Sequence, residues 1–162
     1  MADMFRSVPI EQEPKKKNRF VIEFPTELGL ESFLVQTSGK PKLTIGSVEV
    51  PYMNSSTFVA GRAKWDPIEV KFIDVIGPST TQKIMEWVRL HYETTTGRMG
   101  YAVGYKKNLV LKALDPTGIE VEKWTLIGCM ITDASFGEND YSSEDISEVT
   151  ITLQPDRCIL SA

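Results

Sequence analysis

The single histidine decides which catalytic sites this chain could carry. With His91 as the only histidine, we expect no multi-histidine zinc site and no Ser-His-Asp or Cys-His catalytic site. His91 shares the apolar stripe of a predicted helix with Trp87 and Val88. That position indicates a packed or interfacial histidine rather than a catalytic one.

The two cysteines are the next candidates for chemistry. Cys129 and Cys158 have neither metal-ligand spacing nor the density of a secreted disulfide scaffold. We expect two reduced thiols, with Cys129 in a strand core. Pairing of Cys158 within or between subunits stays open.

Carboxylates and glycines complete the inventory. The acidic segment 135–145 carries Glu138, Asp140, Glu144 and Asp145, but it lacks the spaced loop and closing glutamate of an EF-hand. The stretch 97–100 lacks the Lys-Ser/Thr that completes a phosphate-binding loop. We therefore expect a solvated loop, no metal, no cofactor and no enzymatic activity.

Composition restricts the class of protein further. A chain of 162 residues with 41% hydrophobic and 25% charged residues fits one globular domain. A net charge of −4 argues against a surface that grips nucleic acid, although it permits a wall past which DNA slides. No signal peptide and no membrane-spanning apolar run is expected, so the chain should not insert into a membrane.

Periodicity predicts mostly strands. The sequence predicts an N-terminal arm over 1–17 and one β domain over 18–162. Within it we predict a single helix, started by a Ser79–Gln82 capping box and stopped at Gly97. A bulge or close-packing point is predicted at Gly128. The predicted strands are 20–24, 33–36, 68–76, 107–114, 119–132 and 146–153. The fold class is mainly β: an antiparallel β-sandwich or open barrel with a single flanking α-helix and a long extended loop.

The extended loop is the segment 43–64. It carries aliphatic and aromatic residues at every second or third position, yet Gly46, Pro51, Asn54 and Gly61 interrupt it. This pattern is poor for the inside of a sheet and favours a long, bent hairpin or loop. Such an arm covers its apolar side chains only by lying against another surface, which favours contacts with copies of the same chain.

The order of these motifs resembles the tail tube proteins of contractile-tailed bacteriophages, the T4-like tail tube family. The specific blocks are Val-Pro-Tyr-Met-Asn at 50–54, Val-Ala-Gly at 59–61 and Trp-Asp-Pro-Ile-Glu-Val at 65–70. Gln-Lys at 82–83, Glu-Trp at 86–87 and the strands at 124–129 and 149–153 are also similar. The Lys-rich arm and a shorter stretch after the helix depart from the family pattern. The resemblance therefore says less about contacts with the sheath and between rings than about the fold.

The resemblance implies a structural virion protein made in the host bacterial cytoplasm. Its subunits would form hexameric rings that stack into a tube, whose lumen conducts genomic DNA without specific binding. Tail sheath, baseplate and tail terminator proteins would be the other partners. The segment 43–64 would reach a neighbouring ring, which assigns subunit or ring contacts to Pro51, Tyr52, Met53, Asn54, Phe58 and Trp65.

The lumen prediction rests on the outer face of the last predicted strand. That face is polar, lacks aromatic residues and carries little positive charge, as a wall for sliding DNA would. Ordinary solvent exposure explains it equally well. Its residues are Glu148, Thr150, Thr152 and Gln154.

Two other functions fit the same residues. The chain could be the tube protein of a pyocin or type VI-like contractile injection system, or a baseplate tube adaptor. It could also be a monomeric β-sandwich that binds a ligand through its loops, with Trp65 or Trp124 stacking on that ligand.

Overall fold

The two clearest alternating strands form the centre of the molecule. In the computed structural model, which describes residues 10–161, Val70 and Phe72 of one strand and Ile151 and Leu153 of the next are fully buried. Their outward neighbours remain partly exposed, as period-two alternation requires. The strands are β1 (Phe20–Glu23), β2 (Val35–Ser38), β3 (Leu43–Tyr52), β4 (Ser55–Trp65), β5 (Ile68–Ile73), β6 (Lys107–Leu114), β7 (Glu120–Ser135), β8 (Glu148–Gln154) and β9 (Arg157–Ser161); the helices are α1 (Thr80–His91) and α2 (Ala102–Tyr105), with 3-10 turns at Ile10–Gln12, Thr26–Leu28 and Ser32–Leu34.

All paired strands are antiparallel. The main sheet has the order β1-β6-β7-β8-β5-β2, β9 pairs with the first part of β7, and β3 pairs only with β4. The sheet curves without closing, so the predicted mainly β, open architecture is confirmed. The predicted extended loop is the β3–β4 hairpin, and α2 is a short helix beside the single long one.

Strand β7 belongs to both halves of the core because it bends at Gly128. Its first part pairs with β6 and β9, whereas Met130 to Ser135 pair with β8. Gly128 has a φ of +67° and its N–H donates to Asn108 Oδ1 at 3.1 Å. The pairing with β6 shifts register here, which confirms the predicted bulge.

Helix α1 is anchored at its start by a residue that the sequence analysis did not select. The predicted capping box is wrong, because Ser79 makes no capping side-chain hydrogen bond. Instead the carboxylate of Asp74 accepts hydrogen bonds from the N–H and Oγ1 of Thr81, at 3.4 and 2.8 Å. The helix ends at His91, so the predicted stop at Gly97 is also wrong.

His91 connects the end of α1 to the edge of β7 that β6 leaves without a partner strand. Strand β6 pairs with β7 only as far as Cys129, and the N–H of Ile131 donates to His91 Nε2 at 3.1 Å. That bond requires an unprotonated Nε2, so Nδ1 carries the hydrogen and donates to the Trp87 carbonyl at 3.0 Å. Burial lowers the pKa of His91 below its ordinary value. The prediction of a packed histidine agrees with this geometry.

Several predicted strand boundaries need correction. The segment 33–36 begins as a 3-10 turn and becomes extended only at Val35. Strand β5 stops at Ile73 rather than residue 76, β7 runs to Ser135 rather than residue 132, and β8 starts at Glu148 rather than residue 146. Strand β9 was not predicted, because it is short and follows the Pro155-Asp156 break.

We predict that Gly128→Ala destabilises the fold by about 1–3 kcal/mol, since a side chain at this φ is strained. A Cβ at residue 128 would also overlap the Asp156 carboxylate, which Lys106 holds at 2.9 Å. Urea unfolding followed by circular dichroism measures the effect. Gly104→Ala is the matched control, because a Cβ there meets no atom within 4 Å and should leave stability within about 1 kcal/mol. Equal stabilities for the two variants would contradict the role of Gly128.

His91 predicts a loss of stability in mild acid. The folded state holds the pKa of His91 below 6.5, so the unfolded chain takes up its proton first as the pH falls. The contribution of His91 to the free energy of unfolding is therefore complete above the pKa that His91 has in the unfolded chain. It is lost as the pH decreases from there towards the pKa that His91 has in the folded chain. Urea unfolding of the wild type and of His91→Gln, from about pH 7.5 to about pH 5, measures this difference. A wild-type slope equal to that of His91→Gln would contradict the prediction.

Candidate assembly surface

The residues that could do chemistry are held in structural positions. Both cysteines are free and buried, and burial raises the pKa of Cys129 to about 12 and that of Cys158 to about 11. Such thiols carry almost no thiolate near neutral pH. Within residues 10–161, no group of three or more His, Cys, Asp or Glu side chains could hold a metal ion.

The acidic segment is a loop between β7 and β8, as predicted. Asp140 Oδ1 accepts hydrogen bonds from the N–H and Oγ of Ser142, at 2.9 and 2.7 Å. These bonds lower the pKa of Asp140 below its ordinary value. The loop also exposes the side chains of Tyr141 and Ile146. Its local order thus comes from a turn around Asp140.

The β3–β4 hairpin pairs with no other strand of the described chain. The two strands contain 10 and 11 residues, and every side chain is exposed except that of Trp65. The strands pair with each other from Leu43↔Trp65 to Tyr52↔Ser55. A solitary two-stranded sheet is marginally stable in water, so the hairpin needs a further surface.

Local sequence explains both the hairpin turn and its bend. Met53 has a φ of +51° in the two-residue turn, and Ser55 Oγ donates to the Tyr52 carbonyl at 3.2 Å. A bulge shifts the register between Ile45 and Ser47. Gly61 lies at this bulge, where an added Cβ would approach the Gly46 carbonyl oxygen at 3.2 Å.

Both faces of the hairpin carry apolar side chains. One face carries Val48, Val50 and Tyr52, with Val59 opposite Val48; Phe58 lies on the other face opposite Glu49. Near the tip, 70% of Tyr52, 88% of Met53 and 64% of Phe58 is exposed. An exposed apolar surface of this kind marks an interaction site.

Five of the six predicted interface residues lie exposed along the distal half of this hairpin: Pro51, Tyr52, Met53, Asn54 and Phe58. Trp65 differs, because it lies half-buried at the base. Its ring packs edge-on against Trp124, with centroids 6.1 Å apart, and its carbonyl accepts a 2.8 Å hydrogen bond from Gln154 Nε2. The interface role of these six residues stays a prediction.

The predicted lumen residues share the outer face of β8. Glu148, Thr150, Thr152 and Gln154 alternate with buried residues and are each half-exposed. Glu148 is the only charged residue of the four, and Lys71 of β5, at 3.4 Å, balances its negative charge. The face is polar, as predicted, and its lumen role stays a prediction.

Two ion pairs made by Glu122 were not predicted from the sequence. Glu122 joins Lys15 of the N-terminal arm, at 2.6 Å, to Lys40 of the β2–β3 connection, at 3.7 Å. A groove of about 810 Å³ lies beside it and is lined partly by Phe20, Leu111 and Trp124. Residues so distant in sequence give no local signal. Residues 1–9 of the predicted arm lie outside the described part of the chain.

None of the helices within residues 10–161 has the length and apolar character needed to cross a membrane.

The fold matches solved structures of contractile injection systems. A chain in the cryo-EM structure of the anti-feeding prophage cap, the tube-terminating cap, aligns with a TM-score of 0.76 and 17% identity, covering 100% of this chain and 99% of that chain. A chain in the PVC extracellular contractile injection system, sheath/tube terminator in the extended state, has a TM-score of 0.74 and 16% identity, with coverages of 93% and 99%. A chain in the extended PVC sheath-tube complex gives 0.74 and 16%, covering 93% of each chain.

No protein-family description and no curated protein matches the sequence. The structural likeness agrees with the resemblance to contractile-tail tube proteins. The chain therefore has the fold found in these tube, cap and terminator assemblies.

Proposed function

We propose that this chain is a non-enzymatic tube subunit of a contractile tail or injection system, and that it works by self-assembly. The observation that carries this function is the exposed β3–β4 hairpin with apolar side chains on both faces. The fold shared with cap and sheath-tube assemblies supports it.

Docking of the hairpin on another copy removes the apolar surface from water. Tyr52, Met53 and Phe58 lie near the tip, where a partner would enclose them most completely. A well-buried aromatic anchor contributes roughly 2 kcal/mol or more to association. A contact between the hairpin and a different surface of the next copy is heterologous, and it repeats into rings or stacks.

The finer form of the proposal is a phage tail tube. Copies form stacked hexameric rings, a sheath surrounds the tube, and baseplate and terminator proteins bind its ends. Genomic DNA passes through the lumen during ejection without specific binding. The subunit is made in the host cytoplasm and ends in the virion. The net charge of −4 suits a wall that does not retain phosphate.

A tube-ending subunit of a contractile injection system is the second candidate. The likeness to a chain of the anti-feeding prophage cap, over the full length of this chain, favours it. Electron microscopy of purified protein separates the two functions. A tube subunit grows into filaments, whereas a terminator forms rings that do not stack further.

Replacing Tyr52 and Phe58 together with serine should weaken assembly while leaving the monomer folded, because both side chains are exposed in the single chain. We expect at least a roughly tenfold rise in the concentration needed for rings or tubes. Sedimentation and negative-stain microscopy measure assembly, and circular dichroism measures folding.

The matched control is Phe33→Ser with Tyr101→Ser, which removes the same residue types from positions 77% and 90% exposed. It should assemble like the wild type. If the hairpin variant assembles normally, or the wild type stays monomeric in all conditions, the proposed function is wrong.

The lumen assignment predicts selective shielding of Thr152. In Thr152→Cys, a small maleimide should label assembled tubes, whereas a polymer-linked maleimide too bulky for the lumen should label only dissociated subunits. The native thiols are buried and should react slowly. Thr96→Cys, in an exposed turn, is the control. Equal labelling of Thr152→Cys tubes by both reagents would place this face outside the lumen.

A further inference from the structure

The hairpin and the acidic loop leave opposite ends of the same sheet. Strand β5 pairs with β8 so that Ile68 lies opposite Leu153 and Ile73 lies opposite Glu148. The hairpin immediately precedes Ile68, whereas the acidic loop, residues 136–147, immediately precedes Glu148. One end therefore presents the hairpin and the other presents the loop.

Subunits that stack head to tail bring these two ends together. At about 3.3 Å per residue, a ten-residue strand extends ~33 Å, so the tip overlaps the next copy while the base lies at the junction. Arg62 and Lys64 are near that base, within three residues of Trp65. Their side chains would therefore face the loop end of the next copy.

The charges of the two ends are complementary. Neither Arg62 nor Lys64 forms an ion pair with any described residue of its own chain. In the loop, the four carboxylates likewise have no cationic partner among the described residues; they belong to Glu138, Asp140, Glu144 and Asp145. Glu49 is the only acidic residue within the hairpin, and it lies opposite Phe58 rather than either cation.

Apolar residues accompany the charges on both sides. The loop exposes 69% of Ile146 and all of Tyr141, which projects from the acidic turn. Beyond Arg62, the hairpin exposes Val48 and Val59 as a cross-strand pair. A basic segment followed by an apolar pair can therefore meet an acidic segment that also exposes apolar side chains.

We propose that the acidic loop is the axial receptor for the hairpin of the next copy, with Arg62 and Lys64 facing Glu144 and Asp145. The occupant is a second copy of this chain, so the inference rests on the proposed function and adds the receptor to it. Complementary charges set the order and direction of stacking, and apolar contacts hold the joined copies.

A charge exchange tests the contact. One variant carries Arg62→Glu and Lys64→Glu, a second carries Glu144→Lys and Asp145→Lys, and a third carries all four changes. Asp140 is left intact because it orders the turn through Ser142. Each reversed pair should raise the concentration needed for tubes at least about tenfold in roughly 0.1 M salt. The fourfold variant should recover most of the loss, as should an equimolar mixture of the first two.

The matched control is Lys16→Glu with Lys17→Glu, which makes the same charge change at two exposed positions of the arm. It should assemble like the wild type, and circular dichroism should show that all variants fold. Suppose that the wild type and the control form tubes. If the two single-pair variants then assemble normally, or if they are impaired and the fourfold exchange does not rescue them, the receptor proposal is wrong and the proposed function still stands. A wild-type protein that never assembles overturns both.

Discussion

The bend in strand β7 is the constraint on which this fold depends. Strand β7 pairs with β6 and β9 along its first part and with β8 along its second part, so its backbone must turn between the two parts. Gly128 permits the turn because its backbone occupies the left-handed region, and Asn108 satisfies the N–H that the bulge frees. Without that turn, the buried residues of β6 and those of β8 could not enclose one core.

A second constraint is the supply of partners for strand edges. Where β6 ends, a histidine from α1 bonds to the edge of β7 that β6 leaves, while β8 pairs with the other edge. This contact ties the helix to the sheet through a neutral imidazole, on which the ring of Tyr105 stacks with centroids 4.4 Å apart. The hairpin has no such provision within the described chain. The edge of β7 is thus completed within the chain, whereas the side chains of the hairpin stay exposed in it.

Much of this architecture could be predicted because burial imposes a period on the sequence. Strands β5 and β8 were recognisable from alternation alone, and the hairpin from apolar residues interrupted by glycine and proline. The start of α1 was predicted from the wrong cap, since Asp74 replaces Ser79 only after β5 has folded beside the helix. From the sequence, Trp65 was predicted to be part of the arm. In the structure it packs against Trp124, which belongs to a strand far along the chain. The bridge from Lys15 through Glu122 to Lys40 is equally long-range. Contacts of this kind have no local signature, so they become visible only once the sheet is assembled.

The buried thiols have a consequence for the lifetime of any large particle built from this subunit. Every copy contributes two cysteines, so an assembly of the kind proposed above would hold many of them close together. Because desolvation keeps Cys129 and Cys158 protonated, oxidants meet an unreactive sulfur rather than a nucleophile. In an assembly of the kind proposed above, air oxidation should therefore introduce few covalent links between neighbouring copies.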